Sequence, residues 1–302
     1  HVLVTVGAAD ANFRALTTLL QPGDEAVILL PNYMQVWGIA KNRGIRVREC
    51  HLSEKRGWAP DLAELEAAVT PATRLVAVCN PNNPTGRIMT AEEMDAVVAA
   101  ADRAGAWLLS DEVYRGAEHE SDEEAPSFYG RYDRVLAQGS MSKAYGLPGL
   151  RIGWSVGPEE TLDEMWARHE YTTISVTALS SQLATLALSE KVRPQILART
   201  RRYIREGFPV LEEWMKGHGD TFEIVPPQAA AIAFARYHLG INSTELVNRL
   251  KDEKSVLIVP GDHFGLDGYL RISYGLDHAY LKDGLDRIHE LVSELQQAGA
   301  SA

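Results

Sequence analysis

Short apolar runs recur along the first half of the chain, and amphipathic stretches separate them. Runs rich in Val, Ile and Leu with little polar alternation are typical of strands buried on both faces of a parallel sheet. Seven such strands are predicted, at residues 1–6, 25–30, 45–51, 74–79, 106–110, 134–138 and 151–156. Strands and helices that alternate in this way predict an α/β fold, with a mainly parallel seven-stranded sheet covered by helices on both faces.

The clearest amphipathic stretch covers residues 90–103. Thr90 can cap a helix, Glu93 follows three residues later as a capping box requires, and Met94 and Val97 mark one apolar face. The spacing therefore predicts a helix that begins just after Thr90.

The pattern changes after residue 156. Helical periodicity dominates residues 161–218 and includes a long, charged helix that starts near residue 192. Short strands and two helices follow, with strands predicted at 221–224, 230–235, 256–259 and 269–273 and helices at 243–251 and from 277 onward. This order of short strands and helices predicts a smaller α+β domain. We expect a large domain at 1–205 and a small C-terminal domain at 206–302, with the boundary inside the long helix.

Composition narrows the possible partners and surroundings. The 302 residues carry a net charge of −11, which argues against nucleic acid or an anionic membrane as the main partner. Two cysteines, Cys50 and Cys79, are too few for a disulfide framework or a metal set, so we expect a cytoplasmic protein without a metal. The apolar runs are too short to span a bilayer. Neither a signal peptide nor an initiator Met opens the chain, and we expect that it lacks its natural N-terminus.

A lysine in a loop rich in Gly and Ser is the first candidate for chemistry. Lys143 follows a predicted strand, and such a loop lies at the carboxyl edge of the sheet, where α/β proteins bind ligands. A lysine amine can form an imine with an aldehyde cofactor. Ser140, Ser142 and Arg151 offer hydroxyl groups and a guanidinium suited to a phosphate. The alternative is a solvated lysine in a glycine-rich turn.

Two further strand ends carry polar side chains. The Asn-Pro-Asn-Asn-Pro-Thr-Gly stretch at 80–86 forces a specific loop in which Asn83 can point its amide at a ligand, or can merely cap a turn. Asp111 in Ser-Asp-Glu-Val-Tyr at 110–114 needs a partner if it is buried. A protonated pyridine nitrogen would serve, whereas capping of the following helix is the alternative.

Three weaker signals complete the set. The strand that ends at Gly7 passes into a helix whose free N–H groups can bind an anion. Tyr33, just past the second strand, can stack on a planar cofactor or can pack in an ordinary way. Arg271 lies mid-strand among apolar neighbours, so it needs an anion, either a substrate carboxylate or a structural Asp or Glu.

Together these stretches resemble a known family. The motifs N-P-N-N-P-T-G, S-D-E-V-Y, S-M-S-K and L-R-I-G occur in the order and at the spacing found in the class I/II aminotransferases, which are fold-type-I pyridoxal-phosphate enzymes similar to aspartate aminotransferase. The resemblance extends from residue 4 to the last helix. It implies a pyridoxal 5′-phosphate cofactor, amino acid and 2-oxoacid substrates, and a homodimer with active sites at the subunit interface.

The resemblance also implies roles for individual residues. Lys143 forms the Schiff base with the cofactor and shuttles the proton, and Asp111 keeps the pyridine nitrogen protonated. Asn83 and Tyr114 donate hydrogen bonds to the ring phenolate oxygen. Lys143, Asp111 and Tyr114 are therefore the expected catalytic residues.

The remaining roles concern binding. Tyr33 stacks on the cofactor ring, and the α-carboxylate of the substrate binds to Arg271, with Asn83 nearby. The phosphate is held by Gly7, Ala8, Ala9, Ser140, Ser142 and Arg151. Arg168 lies near the position at which dicarboxylate-specific members place an arginine for the partner's site, but the motifs do not fix the alignment of this segment with the family. Family members also carry a segment before the first strand, and nothing in this chain matches that segment.

Two other functions fit the same residues. A pyridoxal-phosphate lyase or decarboxylase uses the same cofactor contacts, and a non-catalytic sensor can keep the fold. The presence of Lys143, Asp111 and Arg271 together argues against a sensor, because ligand sensing alone does not need all three. Amino-group transfer is the function that the sequence favours.

Overall fold

The computed structural model describes residues 1–300, with the side chains of residues 1–297. Within that range the strands form two sheets. The larger sheet contains β1 (Val2–Thr5), β2 (Glu25–Leu30), β3 (Arg46–Ser53), β4 (Ala59–Pro60), β5 (Thr73–Cys79), β6 (Trp107–Asp111), β7 (Val135–Ser140) and β8 (Gly153–Val156). The smaller sheet contains β9 (Phe222–Ile224), β10 (Ile232–Tyr237), β11 (Val259–Pro260) and β12 (Tyr269–Ser273).

Helices surround both sheets. In chain order they are α1 (Ala8–Leu19), α2 (Met34–Asn42), α3 (Leu62–Ala68), α4 (Ala91–Ala104), α5 (Glu159–His169), α6 (Ala178–Ala187), α7 (Arg193–Lys216), α8 (Ser243–Lys254) and α9 (His278–Ala300). The capping box at the start of α4 is confirmed. Thr90 Oγ1 accepts a hydrogen bond from the Glu93 amide at 3.2 Å, and the Glu93 carboxylate accepts one from the Thr90 amide at 2.9 Å.

The large sheet has the order β1-β8-β7-β6-β5-β2-β3-β4. All of its strands run in one direction except β8 and β4, so the prediction of a mainly parallel sheet is confirmed. The seven predicted strands are present, and the two-residue β4 adds an eighth at the end of β3. Because β1, β2, β5, β6 and β7 run in the same direction, the loops that follow them meet at one edge of the sheet.

Apolar side chains cover both faces of the large sheet. On one face, Leu16 of α1 packs in a cluster with Ile28 of β2 and Leu136 of β7. On the other face, Met94 of α4 packs in a cluster with Val76 of β5. The near-continuous apolar runs of the sequence therefore correspond to strands that are buried on both sides.

The smaller sheet is antiparallel, with the order β11-β12-β10-β9. The strand predicted at 256–259 is largely wrong, because β11 contains only Val259 and Pro260. Ser255 ends α8 in a left-handed conformation, and the amide of Val256 bonds back to the Leu250 carbonyl, so this segment wraps around the helix end. β10 begins at Ile232, two residues later than predicted.

We propose that the two domains meet inside α7, as the predicted boundary at residue 205 requires. The first half of α7 places Leu197 beside Gly116. Leu197 also shares one apolar cluster with Met215 of the second half and with Phe222, so the core continues along the helix. Among residues 1–300, no helix combines the length and the hydropathy that a bilayer crossing needs.

Candidate active site

A pocket of about 400 Å³ opens where the loops after β1, β2, β5, β6 and β7 meet Arg271 of β12. This volume is typical of a site for a small ligand. Every site residue predicted from the sequence lines the pocket except Gly7, which directly precedes Ala8. The lining side chains and backbone come from Ala8, Ala9, Asn12, Tyr33, Gln35, Cys79, Asn83, Asp111, Val113, Tyr114, Ser140, Ser142, Lys143, Pro148, Arg151 and Arg271.

The loop after β7 presents Lys143 to this pocket. Met141 and Ala144 are fully buried in the core on either side of Ser142 and Lys143, so the two polar residues face the cavity. The Lys143 carbonyl accepts a hydrogen bond from the Gly146 amide at 2.9 Å, which closes the turn. The loop is thus anchored by apolar side chains, while the lysine amine remains accessible to a ligand.

The loop after β5 holds Asn83 in place. The side-chain oxygen of Asn82 accepts bonds from the amide and the hydroxyl of Thr85, at 3.2 and 2.8 Å, and its amide nitrogen donates to the Pro31 carbonyl at 3.2 Å. Gly86 has a φ of 71° and lies so close to Ala229 that a Cβ would be 2.6 Å from its carbonyl oxygen. Asn82, Thr85 and Gly86 thus stabilise the turn, and the Asn83 side chain lines the pocket.

Asp111 lies at the end of β6 and is only 7% exposed. Its Oδ1 accepts from the Val113 amide at 3.2 Å, and its Oδ2 accepts from Asn12 at 3.3 Å. Burial raises the pKa of Asp111, while these two hydrogen bonds and the nearby Lys143 oppose the shift. Asp111 is therefore held by a hydrogen bond within its own turn, and it also lines the pocket.

An anion cradle lies at the start of α1. No side chain caps this helix, whose N-cap is Gly7 at a φ of 80°, so the first N–H groups are available to a ligand. A Cβ on Gly7 would lie 2.4 Å from Nη2 of Arg151. Arg151 also donates to Ser142 Oγ at 3.3 Å. Hydroxyl groups, backbone donors and a guanidinium thus converge at one end of the pocket.

Arg271 lies at the opposite end of the pocket, on the small sheet. Its neighbours Leu270 and Ile272 are buried in the core, so Arg271 faces the other side of β12, as alternation predicts. Its Nη1 donates to Oδ1 of Asn83 at 3.0 Å. Within the described part of the chain no carboxylate lies within ion-pair distance of it. The guanidinium is therefore a half-buried cation without a protein anion among the described residues.

Charges around Lys143 affect its protonation. Burial lowers the pKa of Lys143, and the positive charges of Arg271 and Arg151 lower it further, while Asp111 acts in the opposite direction. A lower pKa increases the fraction of neutral amine, which is the nucleophilic form. Burial also raises the pKa of Tyr114, so its hydroxyl keeps its proton and can donate a hydrogen bond.

Sequence reasoning missed five residues that line the pocket: Asn12, Gln35, Cys79, Val113 and Pro148. Each lies within or beside one of the motif stretches, but no local signal separates it from its neighbours. Arg168 is not among the described residues that line the pocket. It lies on α5 and donates to the Glu164 carbonyl at 2.8 Å. Among the residues with described side chains, no group of His, Cys, Asp and Glu could hold a metal ion.

Comparison with known proteins gives consistent matches. A family model described as aminotransferase class I and II matches residues 1–288. Capreomycidine synthase of Streptomyces vinaceus is 33% identical over 96% of this chain and 74% of that protein. The aspartate/prephenate aminotransferase of Thermus thermophilus is 29% identical over 95% of this chain and 74% of its own length. The crystal structure of a PLP-dependent aminotransferase from Streptococcus suis superposes with a TM-score of 0.90 at 33% identity, covering 97% of this chain and 77% of that one.

Proposed function

The chain belongs to the class I and II aminotransferase family, and we propose that Lys143, Asp111 and Arg271 carry its chemistry. It is a pyridoxal-phosphate-dependent aminotransferase whose substrates are an amino acid and a 2-oxoacid. The observation that supports the assignment of residues is their convergence: side chains from five strand ends and from the small sheet line one pocket. When bound, the cofactor supplies an aldehyde for the amino group and a ring that withdraws electrons from the substrate Cα.

The pocket fits pyridoxal phosphate in its donors and in its shape. The cradle at Gly7, Ser142 and Arg151 offers donors to a phosphate, and it leaves no room for a Cβ at Gly7. Asp111 is a buried carboxylate that suits a protonated ring nitrogen. Tyr33, which is 43% exposed, lines the pocket and offers a ring to stack on.

We assign the proton-transfer role to Lys143 Nζ. A neutral Lys143 amine would hold the cofactor through its aldehyde. Once the amino group of the substrate displaced it, the freed amine would take the proton from the substrate Cα. The arginines on either side favour that neutral form, because they lower the pKa of the lysine. Asp111 is the counter-charge that keeps the ring nitrogen protonated. Tyr114 and the amide nitrogen of Asn83 supply donors for the ring phenolate oxygen.

We assign the substrate α-carboxylate to Arg271. This guanidinium is half-buried without a carboxylate partner among the described residues, and every amino acid substrate can supply one. A bidentate pair would fix the substrate at a constant distance from Lys143, whatever its side chain. The other cations that line the pocket, within the described residues, are Lys143 and Arg151. Since both have roles with the cofactor, a second carboxylate of aspartate would find no free cation inside this chain's pocket.

We propose a homodimer for this protein. Phe13, Tyr33 and Met34 are exposed apolar side chains on α1 and at the start of α2, the two elements that bound the cofactor pocket. Exposed apolar groups that cluster beside a site are typical of an interface. Light scattering at several concentrations tests this proposal, since a monomeric mass with full activity would contradict it. We also propose a cytoplasmic location, which the two free, buried cysteines support.

A panel of half-reactions tests the function. The purified protein is loaded with pyridoxal phosphate and mixed with each common amino acid in the absence of a 2-oxoacid. Amino-group transfer converts the cofactor to its amine form, which changes its absorbance, and a 2-oxoacid should restore the original spectrum. No comparison supports the lyase, decarboxylase or sensor alternatives, and each predicts another result: turnover without amine formation for the first two, and no conversion for the sensor.

A further inference from the structure

Asn12 is one of two buried polar residues of α1, and the other is Arg14. Asn12 is 1% exposed, and its buried neighbours on the helix include Leu16. Its amide nitrogen donates to Oδ2 of Asp111 at 3.3 Å and to Oε1 of Gln35 at 3.4 Å. A buried amide is costly unless it is hydrogen-bonded, so these two acceptors account for an asparagine at this position.

Gln35 fixes the orientation of Asn12. The amide nitrogen of Gln35 donates to the Ala9 carbonyl at 2.8 Å, so its oxygen is the atom that faces Asn12. An oxygen can only accept, and Asn12 must therefore direct its NH₂ group toward Gln35 and Asp111. The chain of contacts joins the first turn of α1, which forms the anion cradle, to the carboxylate of Asp111.

A polar layer continues behind Asp111. Asp111 pairs in register with Gln138 of β7, and Gln138 pairs with Ser155 of β8, so the three side chains lie on one face of the sheet. Gln138 is 1% exposed and Ser155 is 0% exposed. Within the described residues, the side chains of both lack a hydrogen-bond partner, as does Oδ1 of Asn12.

Asn12 acts on the protonation of Asp111. Burial favours the neutral acid, and the hydrogen bonds from Val113 and Asn12 favour the ionised form. The Val113 bond is part of a local turn at Oδ1, whereas the Asn12 bond reaches Oδ2 from another element. Loss of the Asn12 donor would leave Asp111 nearer the neutral state, in which it is a poor partner for a protonated ring nitrogen.

We propose that Asn12 is a positioning residue for the cofactor: its amide donates to Asp111 Oδ2 and holds that carboxylate ionised and directed at the ring nitrogen. The inference rests on the proposed function, because it needs pyridoxal phosphate as the ligand. It assigns to Asn12 no contact with the substrate. Its effect should therefore depend on the ring nitrogen of the cofactor and on nothing else in the pocket.

Two ligands that differ only at the ring nitrogen test whether the effect of Asn12 depends on that atom. The apoprotein is titrated with pyridoxal phosphate and with its carbocyclic analogue, in which a CH group replaces the ring nitrogen. Asn12→Leu should weaken pyridoxal phosphate binding about tenfold, as expected for the loss of a hydrogen bond to a charged group, and should leave binding of the analogue unchanged.

Thr18→Val is the matched control. Thr18 also lies on α1, and its buried hydroxyl has no hydrogen-bond partner within the described residues. This variant should bind both ligands as the wild type does. Equal losses for both ligands in Asn12→Leu would mean that Asn12 only packs α1, and unchanged binding of both would also overturn the inference. A wild type that binds neither ligand would overturn the proposed function as well.

Discussion

Arg271 Nη1 donates to Oδ1 of Asn83 at 3.0 Å, which links the small sheet to the loop after β5. An amide has one acceptor and one donor end, so this bond leaves the Asn83 nitrogen for another ligand. The same oxygen is the only side-chain acceptor of Arg271 among the described residues, and the remaining N–H groups are free for a carboxylate. One contact thus aligns the substrate anchor with the cofactor pocket.

Asn83→Asp should convert this neutral contact into an ion pair. The new carboxylate would then compete with the substrate α-carboxylate for Arg271, and KM should rise about tenfold for every amino acid donor. Steady-state KM values for one apolar, one polar and one acidic donor test this. Asn83→Ala is the control, because it removes the oxygen without adding a charge. A KM increase as large in the Ala variant would refute competition by charge.

Arg271→Ala should lower kcat/KM about a hundredfold or more for all donors alike, since a bidentate charged pair contributes at or above about 3 kcal/mol. Cofactor affinity should survive. Arg271→Lys should recover only part of the loss, because an ammonium cannot make the planar two-point contact.

The matched control for Arg271 is Arg249→Ala, which removes a half-exposed arginine that pairs with Glu253 on α8, away from the pocket. Its kcat/KM should remain at the wild-type value. A cofactor-loaded Arg271→Ala protein with unchanged kcat/KM for several amino acids would exclude the substrate role.

Lys143→Ala should abolish turnover and covalent attachment of the cofactor. Borohydride reduction fixes a lysine-bound cofactor to the chain, and mass spectrometry detects the added mass. The variant should show no such adduct, whereas Lys251→Ala, at an exposed lysine paired with Asp252, should show one. A reducible adduct in Lys143→Ala would prove that another lysine holds the cofactor.

Gly7→Ala should weaken binding of pyridoxal phosphate and of inorganic phosphate. The new Cβ would lie 2.4 Å from Arg151 Nη2 and would displace the guanidinium from the cradle. It also strains a backbone at a φ of 80° and a ψ of 167°, a region that essentially only glycine adopts, at a cost of about 1–3 kcal/mol.

Gly23→Ala separates those two effects, because Gly23 has a φ of 92° and open space around its Cβ position. Both variants should lose stability in thermal unfolding, and Gly7→Ala should lose more because its Cβ also clashes with Arg151. Only Gly7→Ala should lose affinity in a titration followed by absorbance. Equal cofactor affinity in the two variants would argue against the cradle.

Most of the fold follows from local patterns in the sequence. The apolar runs mark the seven long strands, and parallel order brings their carboxyl ends together, so the sequence alone assigns Lys143, Asp111 and Asn83 to one site. The strand predicted at 256–259 is largely wrong because Ser255 adopts a left-handed conformation and redirects the chain around α8. Local hydrophobicity carries no information about that tertiary contact.

The partners of the site residues could not be predicted. Asn12 and Asp111 are 99 residues apart in the sequence, and their hydrogen bond depends on how α1 packs across β6. Arg271 and Asn83 are 188 residues apart, and their contact depends on the placement of one sheet against the other. Motifs locate the residues that contact a ligand, whereas the residues that support them from behind are identified only in three dimensions.

Asp111→Asn should make the apoprotein more stable and the cofactor complex weaker. Burial raises the pKa of Asp111 above its ordinary 3.8, so between 3.8 and the raised value the folded protein binds a proton that the unfolded chain has released. Stability therefore falls as the pH rises through that window, and the full cost persists at neutral pH. The neutral, nearly isosteric amide avoids this cost, so the Tm of the apoprotein should rise by roughly 2 °C for each kcal/mol recovered. The difference from the wild type should shrink as the pH falls toward 4.

Pyridoxal phosphate should raise the Tm of the Asp111→Asn variant less than that of the wild type, because weaker binding stabilises less. Thermal unfolding at several pH values, with and without the cofactor, measures both effects. A lower apoprotein Tm in Asp111→Asn would identify Asp111 as a structural turn residue, since a residue kept for the cofactor should destabilise the empty pocket.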